Sequence, residues 1–548
     1  MLLKPVPILS LLGVLVACGG APATEQAVDY ECADCNVILV SIDTLRADHL
    51  GCYGYPRPTS PAVDRFSKQS VLFRTAIAHA PSTEPSHASM FTSLLPAHHG
   101  GLRAKHQPIS EDVTMMAEIL REAGLRTISY NGGGQVAASY GFDRGFEVYE
   151  SSAHPFSRKV GDAIRWLDGH AEEQFFMFLH TYEVHAPYSP MPRFMETFDA
   201  DYRGELEDSI SPRLLIDVNE GKVKLDEQDA QHIVNAYDAE IRSMDGAFGR
   251  LVGYLEKRGL LDKTLLIFTS DHGEEFGEHA QTGRHSHALY DELLHVPLIV
   301  RMPGGNFSST VVEPQVRGID ILPTVLDVLG LESPSPLDGS SLTGLMTGLD
   351  DEPRVAVSQI DTAHAKPPSS IRTETQKLIM APRALVEGAP YRWYEDKVEL
   401  VSVTHALSLP IESFHHERRV RVLVDGEVVK QGLIHPWKHP FDVQFRTPEE
   451  RVVTVESLDP CTSPAEVGVD LDLPCVSFRV FNPFEYFALD TDPAERNNLF
   501  HDAAQQETVA RLKQQLDEIL ASRPSPGEKK IELDEKTRER LRALGYVD

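Results

Sequence analysis

Four side chains in three distant segments of this sequence are of the types that bind a divalent cation and activate a hydroxyl. Asp43, and Asp271 with His272, each follow an apolar run, and Thr83 lies between them in the sequence. Two carboxylates, an imidazole and an alkoxide can form a tetrahedral zinc site, or a manganese site with added waters. A cation bound there would lower the pKa of the Thr83 hydroxyl and neutralise an anionic substrate.

Thr83 lies in the segment 81–100, which has the features of a helix start. Pro85 is well placed as the first helical residue, and the residues after it can continue the helix. A hydroxyl just before a helix lies among unpaired backbone N–H groups at the positive end of the helix dipole. An anion can be held and attacked there. The alternatives are that Thr83 only caps the helix, or that Ser82 or Ser86 is the nucleophile.

Histidines in two later segments can transfer protons. His185 lies in HTYEVHAPY, and His285 and His287 lie in RHSHALYDELLHVPLIV. Histidine suits this role because its ordinary pKa is near neutrality. A lone histidine is more often a core or surface residue, and that is our interpretation of His180, His232 and His295.

Apolar runs alternate with helical patterns over much of the chain. The predicted strands are Asn36–Ile42, Arg126–Tyr130, Phe175–His180, Thr264–Ser270 and Pro297–Arg301. The predicted helices are Asp112–Ala123, Lys159–Leu167, Ile233–Arg258 and Ile319–Leu329. This alternation predicts an α/β sandwich around a mostly parallel sheet. Ligands bind beyond the carboxyl ends of such strands, where Asp43 and Asp271 are predicted to lie.

The texture of the sequence changes near residue 355. Short β-like runs separated by turn residues predict an antiparallel sheet, and the apolar spacing of Val509–Leu520 predicts an amphipathic helix that packs on it. We divide the chain into a signal peptide (1–17), a tether (18–35), a catalytic α/β domain (36–350), an α+β subdomain (351–523, with 384–475 as a candidate insertion) and a linker with a terminal helix (524–548).

Composition limits the classes of function. The 548 residues carry a formal net charge of −30, which argues against a nucleic-acid binder because such proteins present a basic face. An anionic substrate must then be attracted by local positive charge, most simply by a metal ion. The sequence does not indicate an oligomeric state.

The first residues have the features of a processing signal. Lys4 precedes the apolar run Pro7–Ala17, which is too short to span a bilayer. The tetrapeptide LVAC resembles a bacterial lipobox, which implies a lipid on Cys18 and a protein anchored to the membrane of the bacterial envelope. An ordinary secretory signal is the alternative. In that oxidising compartment, we expect local disulfides between Cys32 and Cys35 and between Cys461 and Cys475.

Several long motifs resemble, in order, the sulfatase family of the alkaline-phosphatase superfamily, from Asn36 to about Leu499. NVILVSIDTLRADHLGCYG is similar to the family's opening strand and first metal ligand, and TLLIFTSDHGE to its later metal strand. Further similar segments are YDAEIRSMDGAFGRL, RGIDILPTVLDVLGL, DGSSL, SSIRTETQKLI and EYFALDTDPAERNNL. The resemblance implies a sulfatase-like α/β sandwich with a smaller C-terminal subdomain, and an ester hydrolase that uses one divalent metal ion. Zinc or manganese is favoured, with calcium as the alternative.

Departures from the family pattern concern the chemistry. The family's C-x-P-S-R motif reads Thr83-Glu84-Pro85-Ser86-His87 here, and threonine cannot be oxidised to formylglycine. The usual G-K-W-H motif is replaced by YNGGGQVAASYGFDRGF, in which Asn131 could stand in for the lysine. The resemblance thus implies His87, Asn131 and His185 as substrate-binding residues, and favours the family's phospho-group hydrolases.

We expect Thr83 to attack phosphorus or sulfur in line and form a covalent threonyl ester, while His285 or His287 protonates the leaving group. The expected substrates are anionic small-molecule, lipid or glycan esters, with phosphate and phosphonate esters favoured. The alternatives are a true sulfatase for a sulfated glycan or small molecule, a phospho-group transferase acting on envelope lipids or glycans, and a non-catalytic glycan-binding lipoprotein.

Overall fold

The computed structural model describes residues 30–100, 107–219, 222–279, 281–360, 367–380, 391–393, 397–403, 407–412, 418–434, 441–445, 451–458, 477–478, 484–500, 502–524 and 533–544. The signal peptide, Cys18, and Cys461 and Cys475 lie outside these residues, so the anchor and the second disulfide stay predictions. A disulfide joins Cys32 to Cys35, the pairing expected from their spacing. In the part of the chain described here, no helix combines the length and apolar composition needed to cross a bilayer.

The central element is a large sheet. In chain order the strands up to residue 317 are β1 (Asn36–Ile42), β2 (Val71–Ile77), β3 (Arg126–Asn131), β4 (Val148–Ser151), β5 (Phe175–Thr181), β6 (Thr264–Thr269), β7 (Glu275–Phe276), β8 (Thr282–Arg284), β9 (His295–Arg301), β10 (Thr310–Val312) and β11 (Val316–Arg317). Among the described residues, nine of them form one sheet in the order β10-β2-β9-β6-β1-β5-β3-β4, with β11 beside β2. Only β9 runs antiparallel to its neighbours, which confirms the predicted mostly parallel sheet.

Strand β1 shows why the sheet is buried on both faces. All seven of its residues are buried. Because side chains alternate along a strand, Val37 and Leu39 enter one hydrophobic core while Ile38, Val40 and Ile42 enter the other. Helices therefore cover both faces of the sheet, as its continuous apolar strands require.

The helices of this part include all the predicted ones, with shifted ends, and others that were not predicted. They are α1 (Pro61–Ser67), α2 (Thr83–Thr92), α3 (Pro96–His99), α4 (Met116–Glu122), α5 (Phe156–His170), α6 (Pro192–Asp199), α7 (Pro212–Asn219), α8 (Glu227–Lys257), α9 (Asp291–Leu294), α10 (Ile321–Val328) and α11 (Thr343–Thr347). Helix α8 begins six residues before the predicted Ile233, because the Asp226 carboxylate accepts the Asp229 N–H at 2.9 Å and forms a reciprocal cap. Helix α4 begins at Met116, later than the predicted Asp112.

The C-terminal part contains smaller sheets. Its elements are β12 (Ala356–Gln359), β13 (Ser369–Arg372), β14 (Gln376–Met380), β15 (Tyr391–Trp393), β16 (Lys397–Val403), β17 (Leu407–Glu412), β18 (Arg418–Val424), β19 (Glu427–Ile434), β20 (Phe441–Phe445), β21 (Arg451–Ser457), β22 (Ser477–Phe478), β23 (Phe484–Ala488), α12 (Gln506–Ala521) and α13 (Glu535–Ala543). Within the described ranges, β12-β13-β14-β23 form an antiparallel sheet. Val509, Leu512 and Leu516 of α12 pack on it, as their spacing predicts.

Strands β14 and β23 are direct neighbours, with Met380 opposite Phe484. The strands between them, β15 to β22, pair among themselves in the orders β15-β16-β21-β18-β19 and β20-β17-β22. The predicted insertion at 384–475 falls inside this segment, and the domain division stays a prediction.

Candidate active site

The sheet brings the predicted metal ligands together. Strands β1 and β6 are parallel neighbours, with Ser41 opposite Thr269. Asp43 and Asp271 therefore emerge side by side at the carboxyl edge of the sheet. The ligand atoms of Asp43, Asp271 and His272 all lie within 4.8 Å of one another, and all three side chains are buried. We refer to these three residues as the triad.

The triad fits a cation. His272 Nδ1 donates to the Gly273 carbonyl at 2.9 Å, so Nε2 presents a lone pair, 3.4 Å from Asp271 Oδ2 and 3.9 Å from Asp43 Oδ1. Those two carboxylate oxygens are buried and have no hydrogen-bond partner among the described residues. Three facing lone pairs repel one another unless a positive charge lies between them. The donor set of two oxygens and one nitrogen suits zinc or manganese.

The two carboxylates also perturb each other. Burial and the negative charge of Asp271 raise the pKa of Asp43 well above its usual range, although a hydrogen bond from Thr83 opposes this. Burial would raise the pKa of Asp271 as well, but the neighbouring His272 and His87 outweigh it and lower that pKa. A divalent cation would remove that conflict and leave both carboxylates charged.

Thr83 lies beside the triad, at the first turn of α2. The helix begins at Thr83, two residues before the predicted Pro85, with Ser82 in the extended conformation as its N-cap. The earlier start follows because Pro85 also fits the third position, where helical N–H groups are still unpaired. Thr83 Oγ1 is 3.4 Å from His272 Nε2, and the Ser82 hydroxyl is buried with no hydrogen-bond partner in the described chain.

His87, the predicted substrate-binding residue of the next turn, contacts Thr83, Asp271 and Ser41 and so connects α2 to the strands that carry the site. Its Nδ1 donates to the Thr83 carbonyl at 2.9 Å and lies 3.4 Å from Asp271 Oδ2. Its Nε2 accepts from the Ser41 hydroxyl at 2.9 Å. With both ring nitrogens so engaged, His87 has a structural role in this arrangement and is not positioned as a ligand for substrate.

The loop after β3 places a different residue at the site from the one predicted. The amide of Asn131 bonds Ser129 at 2.9 Å and Ser151 at 2.7 Å, so it supports the loop and does not face the triad. Gln135 reaches α2 instead, where its Oε1 accepts the Glu84 N–H at 3.2 Å. Its Nε2 is buried, with no partner among the described residues. The comparison with the family motif suggested Asn131 in place of the lysine, but it could not show that the Gln135 side chain is the one that reaches α2.

The predicted proton-transfer histidines separate into two groups. The His285 ring lies 4.6 Å from His272 and 4.9 Å from His185, measured between centroids. His185 Nδ1 donates to the Ala186 carbonyl, and burial lowers the pKa of His185 to about 3. His287 instead contacts Glu275, at 2.8 Å, and the structure does not bring it to the triad.

Glu274 is a site residue that sequence reasoning missed. Its Oε1 accepts from His285 Nδ1 at 2.8 Å, and its Oε2 accepts from the Tyr188 hydroxyl at 3.1 Å. A buried carboxylate behind an imidazole fixes its tautomer and stabilises its charged form. The backbone around His285 is held as well, because Ser286, with a φ of 67°, donates its N–H to the Pro81 carbonyl at 2.8 Å.

His180 is also closer to the site than predicted. Gly132 N–H donates to His180 Nδ1 at 3.2 Å, so Nε2 carries the proton and donates to Asp43 Oδ2 at 3.3 Å. The histidine therefore orients a triad carboxylate. The signal was available, since His180 also lies at the carboxyl end of a strand. His232 and His295 bond other groups, as predicted.

Comparison with known proteins gives matches over most of the chain. Residues 35–331 match the sulfatase family, and residues 277–406 match the C-terminal region of N-sulphoglucosamine sulphohydrolase. An ulvan-active sulfatase of Formosa agariphila is 24% identical over 370 residues, 62% of this chain and 70% of that protein. The multifunctional alkaline phosphatase superfamily protein PehA of Trinickia caryophylli is 31% identical over 202 residues, 33% of this chain and 39% of that protein.

Solved structures share the fold. A protein in complex with its substrate D-glucosamine-2-N,6-O-disulfate superposes with a TM-score of 0.61 at 18% identity, over 90% of this chain and 100% of that one. The phosphonate monoester hydrolase of Agrobacterium radiobacter superposes with a TM-score of 0.60 at 18% identity, over 92% of this chain and 98% of that one.

Proposed function

The chain belongs to the sulfatase family, whose members are metal-dependent ester hydrolases, and from this premise we propose that Thr83 is its nucleophile toward a sulfate, phosphate or phosphonate ester. The observation that carries the proposal is the position of Thr83. Its hydroxyl lies in the first turn of α2, 3.4 Å from His272 Nε2 and hydrogen-bonded to Asp43. Relatives named as sulfatases and as a phosphonate monoester hydrolase support both ester classes.

The residues divide the work as follows. A cation held by the triad supplies the positive charge that lowers the pKa of the Thr83 hydroxyl. The unpartnered Gln135 Nε2 offers a side-chain donor to the substrate anion at the positive end of α2. The N–H groups of Glu84 and Ser86 already donate to Gln135 Oε1 and to the Ser82 carbonyl. His285, held by Glu274, gives its proton to the leaving oxygen.

In the first step, Thr83 Oγ bonds to sulfur or phosphorus as the bond to the leaving oxygen breaks. That oxygen takes the proton from His285, and the Thr83 proton passes to the Asp43 carboxylate, which accepts its hydrogen bond. Water, giving a proton to His285, then attacks the threonyl ester, and Thr83 Oγ recovers its proton as sulfate, phosphate or the phosphonate is released. Envelope anchoring through Cys18 and an anionic glycan, lipid or small-molecule substrate remain part of the proposal.

The test is a turnover panel with aryl sulfate, aryl phosphate, aryl phosphonate and a phosphodiester, after reconstitution with zinc, manganese or calcium. Thr83→Ala should lose at least ~10³-fold in kcat, and mass spectrometry of quenched native enzyme should find the ester on Thr83. Thr92→Ala is the matched control, because it removes a buried threonine hydroxyl from the same helix.

Activity retained in Thr83→Ala would refute the nucleophile. A native protein that binds metal but turns over none of the esters would support the transferase or the glycan-binding interpretation. The panel also decides between ester classes, because the class lost with Thr83→Ala is the one that this site hydrolyses.

A further inference from the structure

Helix α13 packs against the loop that follows β3. We call residues 132–136 the glycine loop, since it contains Gly132, Gly133 and Gly134. Arg540 of the helix donates from Nε to the Gly132 carbonyl at 3.0 Å, and Lys536 donates to the Ser151 carbonyl at 3.2 Å. The buried Leu541 and Leu544 anchor the same helix. A distant segment of the sequence therefore contacts a loop at the site.

The backbone of Gly132 is hydrogen-bonded to both Arg540 and His180. The Gly132 N–H donates to His180 Nδ1 at 3.2 Å, while its carbonyl accepts from Arg540. A Cβ at position 132 would lie 2.4 Å from the Tyr182 ring, so a residue with a side chain does not fit there without moving the tyrosine. The backbone of Gly132 is thus fixed on both sides.

His180, with its orientation fixed in this way, orients Asp43 of the triad. With its Nδ1 occupied as an acceptor, its Nε2–H points to Asp43 Oδ2 at 3.3 Å. Asp43 is then held with Oδ1, the oxygen without a hydrogen-bond partner in the described chain, toward His272. Three consecutive hydrogen bonds connect Arg540 to a predicted metal ligand.

A second contact supports the same loop. The Arg540 guanidinium lies over the Tyr182 ring, 5.3 Å from its centroid. The Tyr182 hydroxyl donates to the Gly133 carbonyl at 3.1 Å and accepts the Gln135 N–H at 3.1 Å. Arg540 therefore also stabilises the tyrosine that positions Gln135.

From these contacts we propose that Arg540 is a positioning residue for the metal site, acting through Gly132 and His180 on Asp43. This inference rests on the proposed function, since it assumes that the triad binds a divalent cation. Groups that orient a metal ligand typically contribute 10- to 100-fold to metal affinity. Helix α13 then helps to set the geometry of the metal site, although no described contact joins it to a triad residue.

The test compares the native chain with Arg540→Ala, Arg540→Lys and Arg538→Ala. Arg538 is the matched control, because it lies exposed on the same helix and its replacement changes the charge equally. Zinc affinity is measured by competition with a chromophoric chelator, and hydrogen–deuterium exchange is followed in residues 126–136. Thermal unfolding verifies that each variant is folded, and Arg540→Gln replaces the alanine variant if that one is not.

We expect Arg540→Ala to bind zinc ~10-fold more weakly or worse and to exchange faster in the glycine loop, with Arg538→Ala unchanged. Arg540→Lys should fall between, because an ammonium can donate to Gly132 but does not stack on Tyr182 as a planar guanidinium does. Adding Arg540→Ala to His180→Asn should weaken zinc binding less than it does alone.

Native zinc affinity in a folded Arg540→Ala protein, or full additivity with His180→Asn, would overturn the inference. If the native protein binds none of zinc, manganese and calcium, the proposed metal site fails instead. In that case faster exchange in Arg540→Ala would still identify Arg540 as the residue that holds the loop, and unchanged exchange would refute this role too.

Discussion

Gln135 has a buried amide nitrogen with no hydrogen-bond partner among the described residues, and it lies beside the start of α2. An unpaired buried donor costs ~1–3 kcal/mol, so such groups are retained where a ligand satisfies them. An oxygen of the substrate anion is the partner that the proposed reaction brings there. In the proposed reaction, Gln135 therefore contributes a neutral hydrogen bond to the substrate anion.

We predict that Gln135→Met lowers kcat/KM ~10- to 100-fold, the value of a hydrogen bond to a charged group. Gln135→Glu should lose more, because a carboxylate would face the substrate anion. Gln174→Met is the control. Gln174 directly precedes β5 and donates to the Ala33 and Cys35 carbonyls, which precede β1, so it lies at the opposite edge of the sheet. Steady-state kinetics measure the effect, and a kcat/KM within twofold of native in Gln135→Met would contradict the role.

Residue types at strand ends were predictable from the sequence, and their partners were less so. Asp43 and Asp271 follow continuous apolar strands, and the parallel sheet makes their meeting a consequence of the fold. Glu274 and Gln135 were missed because their roles depend on which side chains the tertiary structure places opposite them. Asn131 was misassigned because its motif position says nothing about the direction of its side chain.

At the scale of elements, His87 connects three of them. It lies on α2, accepts from Ser41 of β1 and contacts Asp271 after β6. Helix α2 is thereby held with its first turn over the triad. The sequence predicted this helix but not its start, because a proline fits several positions of a first turn.

His87→Ala should lower the free energy of unfolding by ~2–4 kcal/mol, since it removes buried atoms and leaves Ser41 without a partner. Ser41→Ala alone should cost ~1 kcal/mol, and the double variant less than the sum. Urea unfolding measures all three, together with zinc affinity, which should fall as α2 moves.

Ser89→Ala separates stability from site geometry in this experiment. Ser89 lies on the same helix as His87, but its hydroxyl bonds His99 of α3 at 3.2 Å, so its loss should lower stability and leave zinc affinity unchanged. Strict additivity of Ser41→Ala and His87→Ala would mean that the two residues act independently.

At the scale of the whole molecule, buried charges join the α/β part to the four-stranded sheet. Lys377 of β14 lies 2.8 Å from both Asp291 and Glu495 and is fully buried. His279 lies beside this cluster. Its Nδ1 donates to Glu292 at 2.6 Å and its Nε2 donates to the Glu495 carbonyl at 3.0 Å, so the ring is doubly protonated.

This arrangement predicts a pH dependence of stability. Burial lowers the pKa of His279, but the hydrogen bond and charge of Glu292 outweigh it and raise the pKa to about 9. A histidine whose pKa is raised on folding stabilises fully below its unfolded pKa, near 6.5, and the contribution disappears as the pH rises through 9.

Urea unfolding between pH 6 and pH 10 should therefore show the native protein losing ~2–3 kcal/mol more than His279→Gln across the interval from pH 6.5 to 9. His279→Gln cannot be charged and should show a smaller slope there. Glu292→Gln should move the loss to lower pH, because the carboxylate is what raises the pKa. Parallel curves for the native protein and His279→Gln would refute the assignment.

The pairing of β14 with β23 also bears on how the chain folds. Met380 can pair with Phe484 only after two parts of the chain separated by residues 381–483 have come together. The entropic cost of closing a loop grows only with the logarithm of its length, so this long connection lowers the equilibrium stability only slightly. Its kinetic effect is larger, because contacts between distant residues form late and slow the search for the native pairing. The four-stranded sheet, and with it the burial of Lys377, is thus expected to be among the last parts of the molecule to assemble.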